Sequence, residues 1–176
     1  RVETERLQIL AEEQAQRAKI DALQKEELQR ISKLAARHSV PLHLCWDGEY
    51  ATPIALILEK LESKQFPSLA EMSLLEENKL FKLIARINFI QYKINGNIWL
   101  LVKACSFLRI EKMPEMAIKI STNASNLNKI KDKRALSALW TSRGGAFRDI
   151  SELDSARESA ETAIQFSPGS YHPYNL

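Results

Sequence analysis

From Val2 to Arg37 the chain contains neither glycine nor proline and is composed mainly of Glu, Gln, Ala, Lys, Arg and Leu. These residues have high helix propensity and no breaker interrupts them, so the stretch predicts one continuous helix. At 1.5 Å per residue it would run for ~50 Å. Opposite charges four residues apart, Glu13/Arg17, Asp21/Lys25 and Glu26/Arg30, lie on its surface and support it. An apolar stripe of Ile20, Leu23, Ile31, Leu34 and Ala35 marks its second half, whereas Arg6, Glu13 and Gln16 interrupt the same face in the first. The expectation is a helix whose second half packs on the protein while its first half projects.

The remainder continues in the same idiom. Glycine and proline number only 5 and 6 among 176 residues, and no useful length alternates with period two, which leaves an all-α protein with little or no sheet. With 45% hydrophobic and 27% charged residues the chain is long enough to bury a core. Three regions are expected: a long charged helix over 1–40, acting as linker or packing helix, a helical hairpin region over 41–97, and stacked helical hairpins over 98–176.

Local signals place the breaks. "HSVPLHLCWDGEYATP" holds Pro41 and a Trp46-Asp47-Gly48 turn, and Thr52-Pro53 has the form of a cap and first helical residue. The helix that follows, "IALILEKLES", is short and apolar on one side. Ser68 and Glu71 have capping-box spacing and are expected to open one long helix running through Leu80, Leu83, Ile84, Ile87 and Ile90 to Asn95-Gly96. Beyond Ile98, helices of about a dozen residues alternate with short turns. Pro114 begins one, and Ser151 with Asp154 reads as the cap of another.

Net charge is only +3, too little to argue for nucleic acid by itself. Between Asn97 and Arg134, however, eight basic residues stand against three acidic ones, densest at "KIKDKR". Cys45 and Cys105 sit among apolar neighbours and do not form a disulfide framework, which favours a reducing, cytoplasmic setting. The most apolar run, "IWLLVKACSFL", is broken by Lys103 and is shorter than a membrane span, so no membrane role is expected. His38, His43 and Cys45 lack the spacing of a metal site, and His38 is better explained as a cation ending the first helix. Gly144-Gly145 lacks the strand and the Lys-Ser/Thr of a phosphate loop. No nucleophile motif or paired acid and base can be placed, so no enzyme, cofactor or metal is expected.

The segment Ala138 to Ser170 carries the strongest pattern. With Ser137 as first position, Trp140 is fourth, Gly144 eighth, Phe147 eleventh, Ala156 twentieth, Ala163 twenty-seventh and Pro168 thirty-second. Gly144 and Ala156 would let two helices approach, Trp140 and Phe147 would fill the adjacent core, and Pro168 would stop the second helix. This resembles the tetratricopeptide repeat, a 34-residue helical hairpin. Arg143 and Ala160 depart from it, standing where the family carries Leu and a larger, often aromatic residue. A next unit would begin at Tyr171 with Tyr174 in the bulky fourth position. A degenerate copy starts at Ile98, with Leu101, Ala104, Cys105, Leu108, Ala117 and Ala124 in register, followed by an insertion near "NLNKIKDKR". The resemblance covers Ser137 to Leu176 clearly and reaches back to Ile98.

It implies a TPR-like α-solenoid whose first helices line a concave face for a peptide or partner helix. The positions that face the groove in the family fall on Trp99, Val102, Ser106, Arg109 and Ile110 in one unit and on Ala138, Thr141, Gly145, Arg148 and Asp149 in the next. Trp99, Ser106, Arg109, Thr141, Arg148 and Asp149 are thus the candidate partner-binding residues, with Arg109 and Arg148 suited to carboxylates by their bidentate fork. The Lys and Asn with which some members clamp a C-terminal carboxylate are missing at Thr141 and Gly145.

The leading expectation is therefore a non-catalytic scaffold or adaptor with a protein or peptide partner. The alternative is the regulatory or sensor domain of a larger nucleic-acid-directed or signalling protein, with Lys129, Lys131, Lys133 and Arg134 meeting nucleic acid. No aromatic residue is interleaved with that basic run, which counts against single-strand binding. Self-association through the first helix ranks below both, because its apolar seam is not sustained for three clean heptads.

Overall fold

The computed structural model describes residues 2–124, 127, 130–170 and 172–175; Lys129, Tyr171 and Leu176 lie outside the described residues. Among those described, every regular element is helical, and the only pairing of sheet type is an isolated antiparallel bridge between Trp46 and Ala51. The order is α1 (Val2–His38), α2 (Leu42–Cys45), α3 (Pro53–Glu62), α4 (Leu69–Glu77), α5 (Phe81–Asn95), α6 (Ile98–Ile110), α7 (Pro114–Thr122), α8 (Lys133–Asp149) and α9 (Leu153–Phe166), followed by a 3-10 turn at His172–Asn175. The chain divides into two units, 1–74 and 75–176. α1 packs with α2, and α5 with α6.

In the first unit α1 is continuous, as its composition requires, but less of it is covered than the apolar stripe implies. Ile31, Leu34 and Ala35 are buried with Ile54, Ala55, Ile57 and Leu58 of α3, whereas Ile20 and Leu23 are 49% and 58% exposed. The stripe runs on past the point where α3 meets it. Arg30 does not pair with Glu26; its guanidinium takes Glu27, with Nε–Oε2 at 2.8 Å, and reaches Glu59 of α3 at 2.6 Å. His38 closes α1 with its Nε2 2.8 Å from Glu62 Oε1, and Arg37 pairs with the same carboxylate. Asp47 Oδ1 accepts from the backbone N–H of Glu49 and Tyr50, which forms the expected turn. Pro53 occupies the first turn of α3, but the Thr52 hydroxyl does not cap it, donating instead to the Leu44 carbonyl at 2.5 Å and tying α2 to α3.

The Ser68/Glu71 capping box is present: Ser68 N donates to Glu71 Oε2 at 2.8 Å and Glu71 N to Ser68 Oγ at 3.3 Å. The helix it opens is nevertheless short. α4 stops at Glu77, and Lys79 adopts a left-handed φ of 56° before α5 begins, so the single long helix expected here is two. Lys79 N bonds to Glu76 O and Leu80 N to Leu75 O, the paired bonds of a Schellman turn. The same pair recurs at Ser39, Lys64, Lys112 and Ser151, each at positive φ and none of them glycine. Ser151 therefore terminates α8 rather than capping α9, whose N-cap is Glu152.

In the second unit α5 buries Leu83, Ile84, Ala85, Ile87 and Tyr92, while Ile90 turns outward at 40% exposure. Gly96, at φ 69°, ends α5, and the Asn97 side chain caps α6 by accepting from Trp99 N. Short connections fold α5 on α6, α6 on α7 and α8 on α9 as antiparallel hairpins. Ile98, Leu101, Cys105 and Leu108 of α6 share one core with Ala117 of α7 and Ala135, Leu139 and Ala146 of α8. Ala124 packs partly against this core from beyond the end of α7. Pro168 follows α9 as expected, but Tyr174 does not start another buried unit. It lies 60% exposed in the 3-10 turn, its hydroxyl donating to Pro168 O, while Pro173 is the residue buried there.

Candidate functional site

The residues expected to face a partner lie on α6 and α8. Near the start of α6, Trp99 Nε1 donates to Oδ2 of Asp132, the N-cap of α8, at 3.0 Å. Near its end, Arg109 pairs with Asp149, the last residue of α8: Nε to Oδ2 is 2.7 Å and Nη2 to Oδ1 is 3.2 Å. Start is tied to start and end to end, so the two helices run parallel.

Two clefts open along this pair. One, of about 680 Å³, lies among Trp99, Val102, Arg134, Ala138, Thr141, Ser167, Gly169, Ser170 and His172. The other, of about 730 Å³, lies among Ser106, Arg109, Ile110, Lys112, Pro114 and Asp149. Trp99 is 42% exposed, Val102, Ala138 and Thr141 are half-buried, and Ser106 and Ile110 are exposed. The Ser106 and Thr141 hydroxyls donate back to the Val102 and Ser137 carbonyls one turn earlier, leaving their lone pairs for an incoming donor.

Gly145 is buried beneath the Arg109 guanidinium: a Cβ placed there would stand 2.3 Å from Nη1. Arg109 is accordingly a wall between the helices, its fork already filled by Asp149, and Arg148 is exposed at the outer end of α8. The structure thus separates the two arginines that the sequence grouped as carboxylate binders. The Arg109–Asp149 pair, 40 residues apart, was missed; its signal was opposite charge at the twelfth residue counted from Ile98 and the thirteenth counted from Ser137.

Asp132 serves two helices. The Ala135 backbone N–H, and after it the Trp99 indole, hold its carboxyl below the usual range. Lys131, Lys133 and Arg134 surround it and are exposed. Of this basic set only Arg134 lines the cleft that contains Trp99.

Trp140 and Phe147 are not the fully buried pair the spacing implied. Both are half-buried, with the Arg143 guanidinium 4.7 Å from the Trp140 ring centre and 5.5 Å from that of Phe147. Desolvation lowers the Arg143 pKa, and its Nε is buried without a hydrogen-bond partner. Arg143 makes this face of α8 a cation–π stack.

No helix among the described residues is long and apolar enough to cross a membrane. No protein-family model matches the chain, and no curated protein or solved structure matches it.

Proposed function

We propose that this chain is a non-catalytic interaction module of the tetratricopeptide-repeat kind, which receives a peptide or partner helix along the shared face of α6 and α8. One observation carries the reading: α6 and α8 lie parallel, locked at both ends, with open clefts bordered by Trp99, Val102, Ala138 and Thr141 at one end and by Ser106 and Ile110 at the other. A rigid, half-apolar face with a few hydroxyls, with Arg134 at one cleft and Lys112 beside Glu115 at the other, suits a segment with apolar anchors and an acidic residue at its Trp99 end. In this reading Arg109 and Asp149 shape the floor, Arg134 and Lys112 are the cations at the clefts, and Arg148, exposed at the end of α8 outside both clefts, is a carboxylate contact for a segment that runs past them. The buried, unpaired thiols of Cys45 and Cys105 are consistent with a cytoplasmic setting.

The test is affinity capture from native lysate with and without nuclease, comparing the wild type with Val102→Asp/Ala138→Asp, which places two charges in the Trp99 cleft. Retention of a defined protein by the wild type in both conditions, and its loss in the variant, is the expected result. Recovery that vanishes with nuclease would instead favour the nucleic-acid reading, with Lys131, Lys133 and Arg134 as contacts and Lys129 beside them in sequence.

A further inference from the structure

We infer that the uncovered part of α1 pairs with the same segment of a second copy, antiparallel and in a register that sets Ile9 of one chain against Ile20 of the other. The argument begins with what the first unit leaves bare. From Gln8 to Leu23 every side chain of α1 is exposed, including Ile9, Leu10, Ile20 and Leu23, while the cover provided by α3 starts further along, around Ile31. Helices gain most of their stability from a packed face, and this one continues for several turns without it.

Arg6, Ile9, Glu13, Gln16, Ile20 and Leu23 follow one another at alternating steps of three and four, the seam spacing of a coiled coil. The three polar members decide who can occupy that seam. A parallel copy would put Arg6 on Arg6 and Glu13 on Glu13, two like-charge layers in the contact. An antiparallel copy avoids both. With Ile9 facing Ile20, Glu13 faces the Gln16 amide, which can donate to it, and the aliphatic stem of Arg6 lies along Leu23 with its charge reaching solvent.

Two-fold symmetry makes each of these layers occur twice. On the flank, Glu12 of each chain comes beside Lys19 of the other, giving two intermolecular ion pairs. The covered part of α1, from Leu28 onward, falls outside the paired segment, so α3 is not in the way. A lipid surface does not fit: Glu12 and Glu13 border the apolar positions where a membrane-facing helix would carry cations.

The experiment is sedimentation equilibrium of the full chain from the micromolar to the sub-millimolar range, with far-UV circular dichroism confirming the helix content of each variant. The wild type is expected to reach a dimer, and Ile9→Asp/Ile20→Asp to remain monomeric. Glu12→Lys or Lys19→Glu alone turns both flank pairs repulsive and should weaken the dimer roughly ten- to thirtyfold, whereas the double swap should restore it. Spin labels at Gln24→Cys should lie ~30 Å apart, against ~10 Å for a parallel pair. A monomer throughout would overturn the inference and leave the face to a different chain. A dimer that survives the Asp variant, a double swap that fails to rescue, or the short label distance would overturn it too. None of these variants touches α6 or α8, so partner capture by the monomeric variant tests the α6–α8 reading separately.

Discussion

Arg109 lies across Gly145 and forks onto Asp149, one turn further along the same helix. As placed, its guanidinium fills the space that a Cβ on residue 145 would take. A glycine in the interior of a helix costs roughly 1 kcal/mol relative to alanine, so here helix propensity is exchanged for an inter-helix pair.

Gly145→Ala should therefore displace Arg109 while improving the helix, with a net change in stability within about 1 kcal/mol. The sharper expectation is coupling. Asp149→Ala should cost about 1 kcal/mol in the wild-type background and close to nothing once Gly145 is alanine. A urea-denaturation double-mutant cycle measures this. Equal costs in the two backgrounds would mean the close approach does not serve the pair.

The Schellman turns at Lys112 and Ser151 hold non-glycine residues at φ 56° and 65°. A left-handed conformation costs an L-residue roughly 1–2 kcal/mol, part of which glycine returns as unfolded-chain entropy. Lys112→Gly and Ser151→Gly should each stabilise the second unit by up to about 1 kcal/mol and raise the Tm, while Gly96→Ala should lower it. Differential scanning calorimetry of the three variants checks the sign.

Acid should weaken the first unit through Glu71 and Glu62. Lys60, followed by the Ser68 backbone N–H, holds the Glu71 carboxyl at about 2, and His38 followed by Arg37 lowers that of Glu62. A carboxyl that binds its proton less readily when folded stabilises the fold above the usual carboxylate range and loses that contribution as the pH falls toward the lowered value. Stability should thus decline as pH drops from about 4.5 toward 2, and Glu71→Gln should flatten that limb. An acid titration followed by circular dichroism, with a parallel titration of the variant, reads it; identical limbs would remove Glu71 from the account.

Burial pushes the Cys105 thiol up to about 12 and also raises that of Cys45. At mildly alkaline pH neither offers much thiolate. Iodoacetamide should leave both unmodified in the folded protein and alkylate both after denaturation, as intact-mass spectrometry would show. Rapid labelling of Cys105 in the native state would contradict its place in the α6–α7–α8 core.

Much of the fold was legible because it is written in local terms. The unbroken α1, the Ser68/Glu71 box, Pro53 and Pro114 at helix starts and Gly96 at a helix end each depend on residues within one turn of each other. The break between α4 and α5 was not legible: Lys79 turns left-handed without glycine or proline, favoured by the burial of Leu75 and the α5 face rather than by its own preference. The candidate site divides the same way. Its positions could be placed on two helices by spacing, but which arginine was already occupied could not.

By itself the sequence determined that this protein is helical, where most helices start, and which faces are apolar, because propensity, capping and periodicity act over a few residues. The tertiary structure decided which part of the α1 stripe is covered, that α6 and α8 run parallel, that Trp99 meets Asp132 33 residues away and that Arg109 spends its fork on Asp149. Those outcomes depend on distances between residues far apart in the chain, which are set only once the helices have packed and the ridges and gaps of one have fixed where the side chains of the next can reach.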